Sequence, residues 1–198
     1  MKRFGSAVIL AGGKSSRMGF DKQNIVIHNQ LLIECIVKKL RTIFDEIILI
    51  TNTGTELKIF DKVSPDIIES QGPLSGIYTG LTLASSEYVY FIACDMPIIN
   101  EEYIRYMEDL ITNEADACVT KYNEWIEPFN AFYKKGIKDI IKEYLSLNRR
   151  SIYNLVSNIN TLYIDEKTAI DYSENFEMFF NLNTKDDIKN YIENICLR

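Results

Sequence analysis

Two glycines followed by three cations form the part of this sequence best suited to chemistry. The pair Gly12–Gly13 comes directly after an apolar run, and Lys14, Arg17 and Lys22 follow it. Because glycine has no Cβ atom, the backbone can turn sharply here and direct its N–H groups at phosphate oxygens. The cations can neutralise phosphate charge. The composition predicts a polyphosphate-binding loop. The alternative is that the glycines make only a tight turn and the cations are solvated. Of the three cations, Lys14 fits this alternative best.

Two familiar phosphate motifs do not fit this loop. Gly13–Ser15 has the Gly-Lys-Ser order that ends a Walker A loop, but that motif needs a glycine five residues before Gly13, where the sequence has Val8. A dinucleotide fingerprint fails as well, because Lys14 stands where its second glycine would be. The loop therefore belongs to another class of phosphate-binding site.

Asp95 is the candidate metal ligand. It follows an apolar strand-like run, and Pro97 prevents that strand from continuing, so the carboxylate should project from the edge of the sheet. Mg²⁺ typically takes one or two protein carboxylates and fills its other positions with water and substrate phosphates. We expect Asp95 to bind Mg²⁺ opposite the glycine loop. The alternative is that it caps the following turn. The neighbouring Cys94 is expected to be a small buried apolar residue.

Further polar residues fall where a nucleotide could reach them. Asn52 follows another strand-like run, and Asp66 precedes the segment Gly72–Gly76, whose glycines let the backbone approach a flat ligand. Asp66 could accept hydrogen bonds from a base or remain in solvent, and Gly72–Gly76 could equally form an ordinary turn with a helix start. Asn181 is a weaker candidate for the same edge, while Thr184 is expected to cap the last helix.

Short β-branched runs alternate with longer helix-like segments, a pattern typical of strands joined by helical crossovers. We predict one α/β domain over residues 1–198, with a mainly parallel twisted sheet and helices on both faces. In such sheets ligands bind beyond the carboxyl ends of the strands. The predicted strands are 8–10, 47–51, 88–93, 117–120, 129–134 and 161–164, and the predicted helices are 31–43, 74–84, 101–112, 136–145 and 184–196.

Composition excludes several classes of function. A net charge of −6 argues against broad nucleic-acid binding. The four cysteines form no CxxC pair and His28 is the single histidine, which disfavours zinc and indicates a reducing, cytoplasmic environment. The sequence has no apolar run of about 18 residues, so we predict no membrane span.

The motifs together resemble a known family, the molybdenum cofactor guanylyltransferases. Residues 10–22, LAGGKSSRMGFDK, are similar throughout to the family signature LAGGxSxRMGxDK. Gly72–Gly76 resembles its GPLxG segment, Cys94–Pro97 its CDxP segment and Asn181–Thr184 its NxNT segment. The resemblance covers most of the chain, and the four segments occur in the family's order.

This resemblance implies a single domain of the Rossmann-like, nucleotide-diphospho-sugar transferase type. It also implies a nucleotidyltransferase activity that moves GMP from GTP to the terminal phosphate of molybdopterin and releases pyrophosphate. It implies that Asp95 binds Mg²⁺ and that Arg17 and Lys22 disperse the charge of the leaving group. Molybdoenzymes or their chaperones are the implied recipients of the product. The residues assigned to the nucleotide are Leu10, Ala11, Gly12, Lys22, Asn52, Asp66 and Asp95, to which the phosphate loop adds Gly13.

The sequence departs from the family at two places. Glu127 stands before Pro128 where relatives often carry Gln or His, and Asn29–Leu31 replaces a Gly-Lys-Pro-like turn. These differences concern contacts to the pterin more than contacts to GTP.

Three alternatives remain open at this point. Cytidylyltransferases acting on the same acceptor tend to read Leu-Ala-Ala-Gly where this chain has Leu10–Gly13. Sugar-phosphate nucleotidyltransferases share the general loop chemistry. A non-catalytic nucleotide- or cofactor-binding protein is the third, although it would have less need of Arg17, Lys22 and Asp95 together.

Overall fold

The computed structural model describes residues 1–12, 25–27, 29–69 and 72–194. Strands and helices alternate along most of this part of the chain, as the sequence predicts. The strands are β1 (Phe4–Leu10), β2 (Val26–Ile27), β3 (Gln30–Leu31), β4 (Glu46–Ile50), β5 (Lys62–Ser64), β6 (Tyr88–Ala93), β7 (Ala117–Tyr122), β8 (Trp125–Lys134) and β9 (Thr161–Asp165). The helices are α1 (Leu32–Leu40), α2 (Pro73–Leu83), α3 (Glu101–Leu110), α4 (Lys138–Ser146), α5 (Ile152–Val156), α6 (Glu166–Tyr172) and α7 (Lys185–Asn194), and a 3₁₀ segment spans Glu174–Phe179.

The central sheet is mainly parallel, which confirms the predicted fold class. Among the described residues its strand order is β5-β4-β1-β6-β8-β7-β9. Every neighbouring pair in it is parallel except those of β8, which is antiparallel to both β6 and β7. Because β8 runs in the opposite direction, its first residues lie at the sheet edge where β1, β4, β6 and β7 end.

The two faces of the sheet bury different side chains because successive residues of a strand point to opposite faces. In β1, Ala7 and Ile9 pack on the face covered by α1, α3, α6 and α7, whereas Val8 and Leu10 pack on the face covered by α2, α4 and α5. All four side chains are buried. This two-sided burial explains why the strand reads as a continuous apolar run, and it confirms helices on both faces.

Helix α2 approaches the sheet closely through Gly80. A Cβ atom at this position would lie 2.6 Å from Cε1 of Phe91 and 3.0 Å from Cγ1 of Val8. The missing side chain therefore allows the helix to pack directly on β1 and β6, the two strands that carry the predicted phosphate loop and Asp95.

Most predicted elements are present with shifted ends. Thr184 Oγ1 accepts the N–H of Asp187 at 3.1 Å, which confirms it as the cap of α7. The β8 strand begins at Trp125 rather than residue 129, because Pro128 interrupts the strand pattern without ending the strand. The sequence pattern does not indicate β5, α5 or α6: β5 has three residues, and its one apolar side chain, Val63, is exposed.

No helix in the described ranges combines the length and the apolar character that a membrane crossing requires.

Candidate functional site

The carboxyl ends of β1, β4 and β6 form one continuous edge. Backbone hydrogen bonds extend the ladder one step past the strands: the N–H of Ala11 donates to Ile50 O at 2.9 Å, and the N–H of Cys94 donates to Leu10 O at 3.0 Å. The chain therefore leaves all three strands at the same level, which places the residues predicted to bind the nucleotide side by side.

Asn52 and Asp66 bind each other at this edge, beyond β4 and β5. Asn52 Nδ2 donates to Asp66 Oδ2 at 3.0 Å, and Asn52 Oδ1 accepts the backbone N–H of Asp66 at 3.0 Å. The other carboxylate oxygen, Oδ1 of Asp66, is buried and has no hydrogen-bond partner among the described residues. Buried acceptors are normally satisfied, so this oxygen is suited to a donor from a ligand.

Burial raises the pKa of Asp66 above its ordinary value, although the hydrogen bond from Asn52 and the nearby hydroxyl of Ser75 act in the opposite direction. Desolvation disfavours the charged form of a carboxyl group unless donors compensate it. A ligand hydroxyl or N–H group directed at Oδ1 would supply such compensation.

The segment Gly72–Gly76 packs helix α2 against both the first strand and Asp66. Gly72 begins the segment with φ +74°, a conformation that favours glycine. At Gly76 a Cβ atom would lie 2.9 Å from Cδ2 of Leu10 and 3.7 Å from Oδ1 of Asp66. The close approach at Gly76 is thus to the protein side chains of Leu10 and Asp66, and the expected approach to a flat ligand stays a prediction.

Asp95 lies where predicted, directly after β6, and its residue is only 6 % exposed. The turn that follows is closed by the N–H of Met96, which donates to Ala93 O at 3.1 Å. The backbone N–H of Leu182 donates to the carbonyl of Asp95 at 2.9 Å, so the segment Asn181–Thr184 docks on this residue. Cys94 is buried, as expected, and forms no disulfide bond with another described cysteine.

The donor set at this edge fits Mg²⁺ with few protein ligands. Within the described ranges no group of three or more His, Cys, Asp or Glu side chains is placed to hold a metal ion. A single carboxylate such as Asp95 matches a cation that completes its octahedron with water and substrate phosphates.

Glu127, at the start of β8, is a second carboxyl group on this edge. Burial raises the pKa of Glu127 to about 7, and the charge of Asp95 adds to this shift. The N–H of Phe129 donates to Oε1 of Glu127 at 3.2 Å and opposes the shift. The antiparallel β8 brings this group toward Asp95. The sequence indicated Glu127 only as a departure from the family pattern, not as a neighbour of Asp95.

A cavity of about 230 Å³ lies at the end of β7 and the start of β8. It lies on the opposite side of Asp95 from the Asn52–Asp66 pair, because β6 separates β8 and β7 from β1, β4 and β5 in the sheet. We call it the aromatic cavity; its lining residues are Thr120, Tyr122, Trp125, Glu127, Phe176 and Phe179. No motif or spacing in the sequence indicates this cavity, because its walls come from two segments about 50 residues apart.

The predicted roles of Gly13, Lys14, Arg17 and Lys22 concern residues that lie outside the described ranges. Leu10, Ala11, Gly12, Asn52, Asp66 and Asp95 are within them, and they occupy the carboxyl edge of the sheet.

Comparison with known proteins identifies relatives over nearly the whole chain. Residues 7–160 match the family described as "MobA-like NTP transferase domain". The chain is 48 % identical over 197 residues to a probable molybdenum cofactor guanylyltransferase of Peptoclostridium acidaminophilum, covering 96 % of this chain and 89 % of the relative. It is 45 % identical over 192 residues to the molybdenum cofactor guanylyltransferase of Syntrophotalea carbinolica, covering 96 % and 91 %.

A solved structure shares the fold. The molybdopterin-guanine dinucleotide biosynthesis protein A of Archaeoglobus fulgidus superposes with a TM-score of 0.80 at 22 % identity, over 95 % of this chain and 97 % of that one. The extent of these matches and the placement of Asp95 agree: this chain belongs to the MobA-like NTP transferase family, as a nucleotidyltransferase of the molybdenum cofactor guanylyltransferase group.

Proposed function

We propose that this enzyme transfers GMP from GTP to the terminal phosphate of molybdopterin in a Mg²⁺-dependent reaction that releases pyrophosphate. The observation that carries the proposal is the position of Asp95. It stands at the carboxyl edge of the sheet between the Asn52–Asp66 pair on one side and Glu127 on the other. A carboxylate between two ligand regions is suited to a reaction that joins two substrates.

The nucleotide belongs on the side of β1, β4 and β5. Asp66 offers a buried, unsatisfied oxygen that can accept a hydrogen bond from a nucleoside hydroxyl or N–H group. The end of β1 leads through Ala11 and Gly12 into the glycine loop, whose backbone N–H groups suit phosphate oxygens. Family membership, with relatives at 45 to 48 % identity named as guanylyltransferases, favours GTP over CTP.

Catalysis in this arrangement is positioning and charge stabilisation. Asp95 would hold Mg²⁺, which supplies charge neutralisation at the phosphates when bound. Arg17 and Lys22 are the proposed partners of the pyrophosphate charge. The acceptor needs no side-chain base, because a phosphate monoester has a second pKa of about 6 and is already anionic near neutral pH.

The same proposal extends to the setting of the reaction. We place it in the cytoplasm and expect molybdoenzymes or their chaperones to receive the product. The support is that Cys35, Cys94 and Cys118 form no disulfide bond in the described part of the chain, as in a reducing compartment.

The test is pyrophosphate release from GTP with purified enzyme, molybdopterin and Mg²⁺. We expect release with GTP, much less with CTP, and none without molybdopterin or Mg²⁺. Asp95→Asn should abolish turnover while nucleotide binding remains measurable, whereas Asp139→Asn, which changes an exposed acid on α4, should leave turnover unchanged. Equal release from CTP, or full turnover in Asp95→Asn, would contradict the proposal.

A further inference from the structure

The aromatic cavity has the composition of a site for a flat ring. Its walls are largely aromatic, and two of them are unusually exposed for their type: Trp125 is 68 % exposed and Tyr122 is 42 % exposed. Exposed aromatic surface around a concavity indicates ligand binding more often than chance exposure does. A volume of about 230 Å³ suits part of a ligand, such as one ring system.

The rings contact each other in a fixed arrangement. Tyr122 packs edge to face on Phe176, with ring centroids 5.1 Å apart and an interplanar angle of 79°. Phe176 lies 6.3 Å from Phe179 at an angle of 30°. Such contacts hold the walls in place before any ligand arrives, which lowers the cost of ordering the site on binding.

The backbone under Phe176 is strained. Asn175 and Phe176 have φ values of 53° and 57°, in the left-handed region that bulky side chains rarely adopt. Residues held in this conformation by the surrounding structure are found most often at ligand sites. Here the strained pair directs the Phe176 ring toward Tyr122 and so forms one wall of the cavity.

One carboxylate stands among these rings. Glu127 Oε1 accepts the N–H of Phe129, and within the described part of the chain no other donor reaches this carboxylate. An acceptor beside aromatic walls suits a flat heterocycle that carries N–H donors in its ring plane. The 2-amino-4-oxopyrimidine edge, with its ring N–H and exocyclic amine, offers two parallel donors to a carboxylate.

We propose that the aromatic cavity binds the pterin ring of the acceptor, with Glu127 accepting hydrogen bonds from the aminopyrimidinone edge and the aromatic side chains packing on the ring faces. The inference rests on the proposed function for the identity of the acceptor. The location supports it, because the cavity lies across Asp95 from the Asn52–Asp66 pair. Guanine carries the same edge, so the test must separate pterin from GTP.

Trp125 provides a direct readout because it is the single tryptophan of the chain. The experiment is a titration of the enzyme with pterin, 2-amino-4-oxopteridine, followed by Trp125 fluorescence and corrected for pterin absorption with free tryptophan amide. We expect saturable quenching by pterin. Guanosine and GTP should not compete with it, since the proposal places them elsewhere.

The variant Glu127→Leu tests the carboxylate. The matched control is Glu124→Leu, which changes an exposed acid on the turn between β7 and β8, directly before Trp125. We expect pterin affinity to fall on the order of tenfold to a hundredfold in Glu127→Leu, because a hydrogen bond to a charged group is lost. Glu124→Leu should bind pterin normally. Should Glu127→Leu fail to fold, Glu127→Gln serves in its place with a smaller expected loss.

The outcomes separate this inference from the proposed function. Absence of quenching, competition by guanosine, or equal pterin affinity in the Glu127 and Glu124 variants would overturn the pterin site even if GMP transfer is observed. Glu127-dependent pterin binding supports the site, and a missing pyrophosphate release would then count against the proposed function alone. In turnover assays the Glu127 variant should raise KM for molybdopterin and leave GTP binding, measured by thermal shift, unchanged.

Discussion

Asn52 and Asp66 are joined by two hydrogen bonds of 3.0 Å each, one to the side chain and one to the backbone of Asp66. This double contact connects the chain after β4 to the chain after β5. It fixes the orientation of the Asp66 carboxylate, so that Oδ2 is used by the protein and Oδ1 stays buried without a partner in the described residues. The role of Asn52 is thus to orient Asp66, whether or not Asn52 itself touches the nucleotide.

Asn52→Ala should weaken GTP binding by up to about thirtyfold, because both bonds that orient Asp66 are lost and each is worth about 1 kcal/mol. The measurement is the Kd for GTP by calorimetry. Asn190→Ala, which changes an exposed asparagine on α7, is the control and should leave the Kd unchanged. Equal Kd values for the two variants would show that the pair does not serve the nucleotide.

Gly76→Ala should destabilise the protein by about 1–2 kcal/mol, because the new methyl group would lie 2.9 Å from Leu10 Cδ2 and overpack the junction of α2 with β1. The gain in helix propensity from Ala offsets part of this cost. Gly136→Ala is the matched control, since nothing lies within 4 Å of a Cβ atom there. Urea unfolding of both variants measures the difference, and an unchanged midpoint for Gly76→Ala would contradict the close packing.

Glu46 should make stability depend on pH in the acid range. Burial alone would raise the pKa of this carboxyl, but hydrogen bonds from Lys62, Ser6 and Ser85 outweigh it and lower the pKa to about 2. A lowered pKa in the folded state gives stability that is complete above the ordinary value of 4.5 and is lost as the pH falls from there toward 2.

The variant that tests this is Glu46→Gln. In urea unfolding, its free energy of unfolding should be lower than that of the natural protein. This deficit should be largest near pH 6 to 7 and should shrink as the pH approaches 2. Glu56→Gln, at an exposed acid, should show no such trend. A deficit that stays constant with pH would mean that the loss is one of packing and not of charge.

Glu127 should have the opposite effect on stability. Burial raises its pKa to about 7 in the folded protein. Ionisation is therefore more costly in the folded state than in the unfolded state, and stability falls as the pH rises from about 4.5 to about 7.

Glu127→Gln removes this cost. Without Mg²⁺, the variant should exceed the natural protein in unfolding free energy above pH 7, by at most about 3 kcal/mol, and should match it near pH 4. Thermal unfolding at both pH values measures the difference, with Glu124→Gln as the control. A variant that is less stable at pH 8 would contradict a costly buried charge. If the gain is seen together with weaker pterin binding, the natural residue is retained for binding at the expense of stability.

The sequence predicts most of the side of the edge that we propose for the nucleotide, but little of the side that we propose for the acceptor. Asn52, Asp66 and Asp95 each follow a strand directly or stand near a glycine segment, so their place at the edge follows from parallel-strand geometry. Glu127 and Phe176 come together only because β8 is antiparallel and the 3₁₀ segment turns back across the sheet edge. Contacts of this kind join residues distant in the chain, and no local period or spacing reveals them. The short β5 is missed for a related reason, since pairing with β4 rather than its own composition makes it a strand.

The hydrogen bond from Leu182 to the carbonyl of Asp95 has a consequence for how such enzymes diversify. The family model ends at residue 160, yet Phe176, Phe179 and Leu182 all lie beyond it. The last part of the chain thus both supports the turn that carries Asp95 and supplies a wall of the aromatic cavity. Exchange of this segment together with the β7–β8 turn would change the acceptor, while the strands proposed to hold the nucleotide stay as they are. A single scaffold could then take new acceptors with the same triphosphate-binding residues.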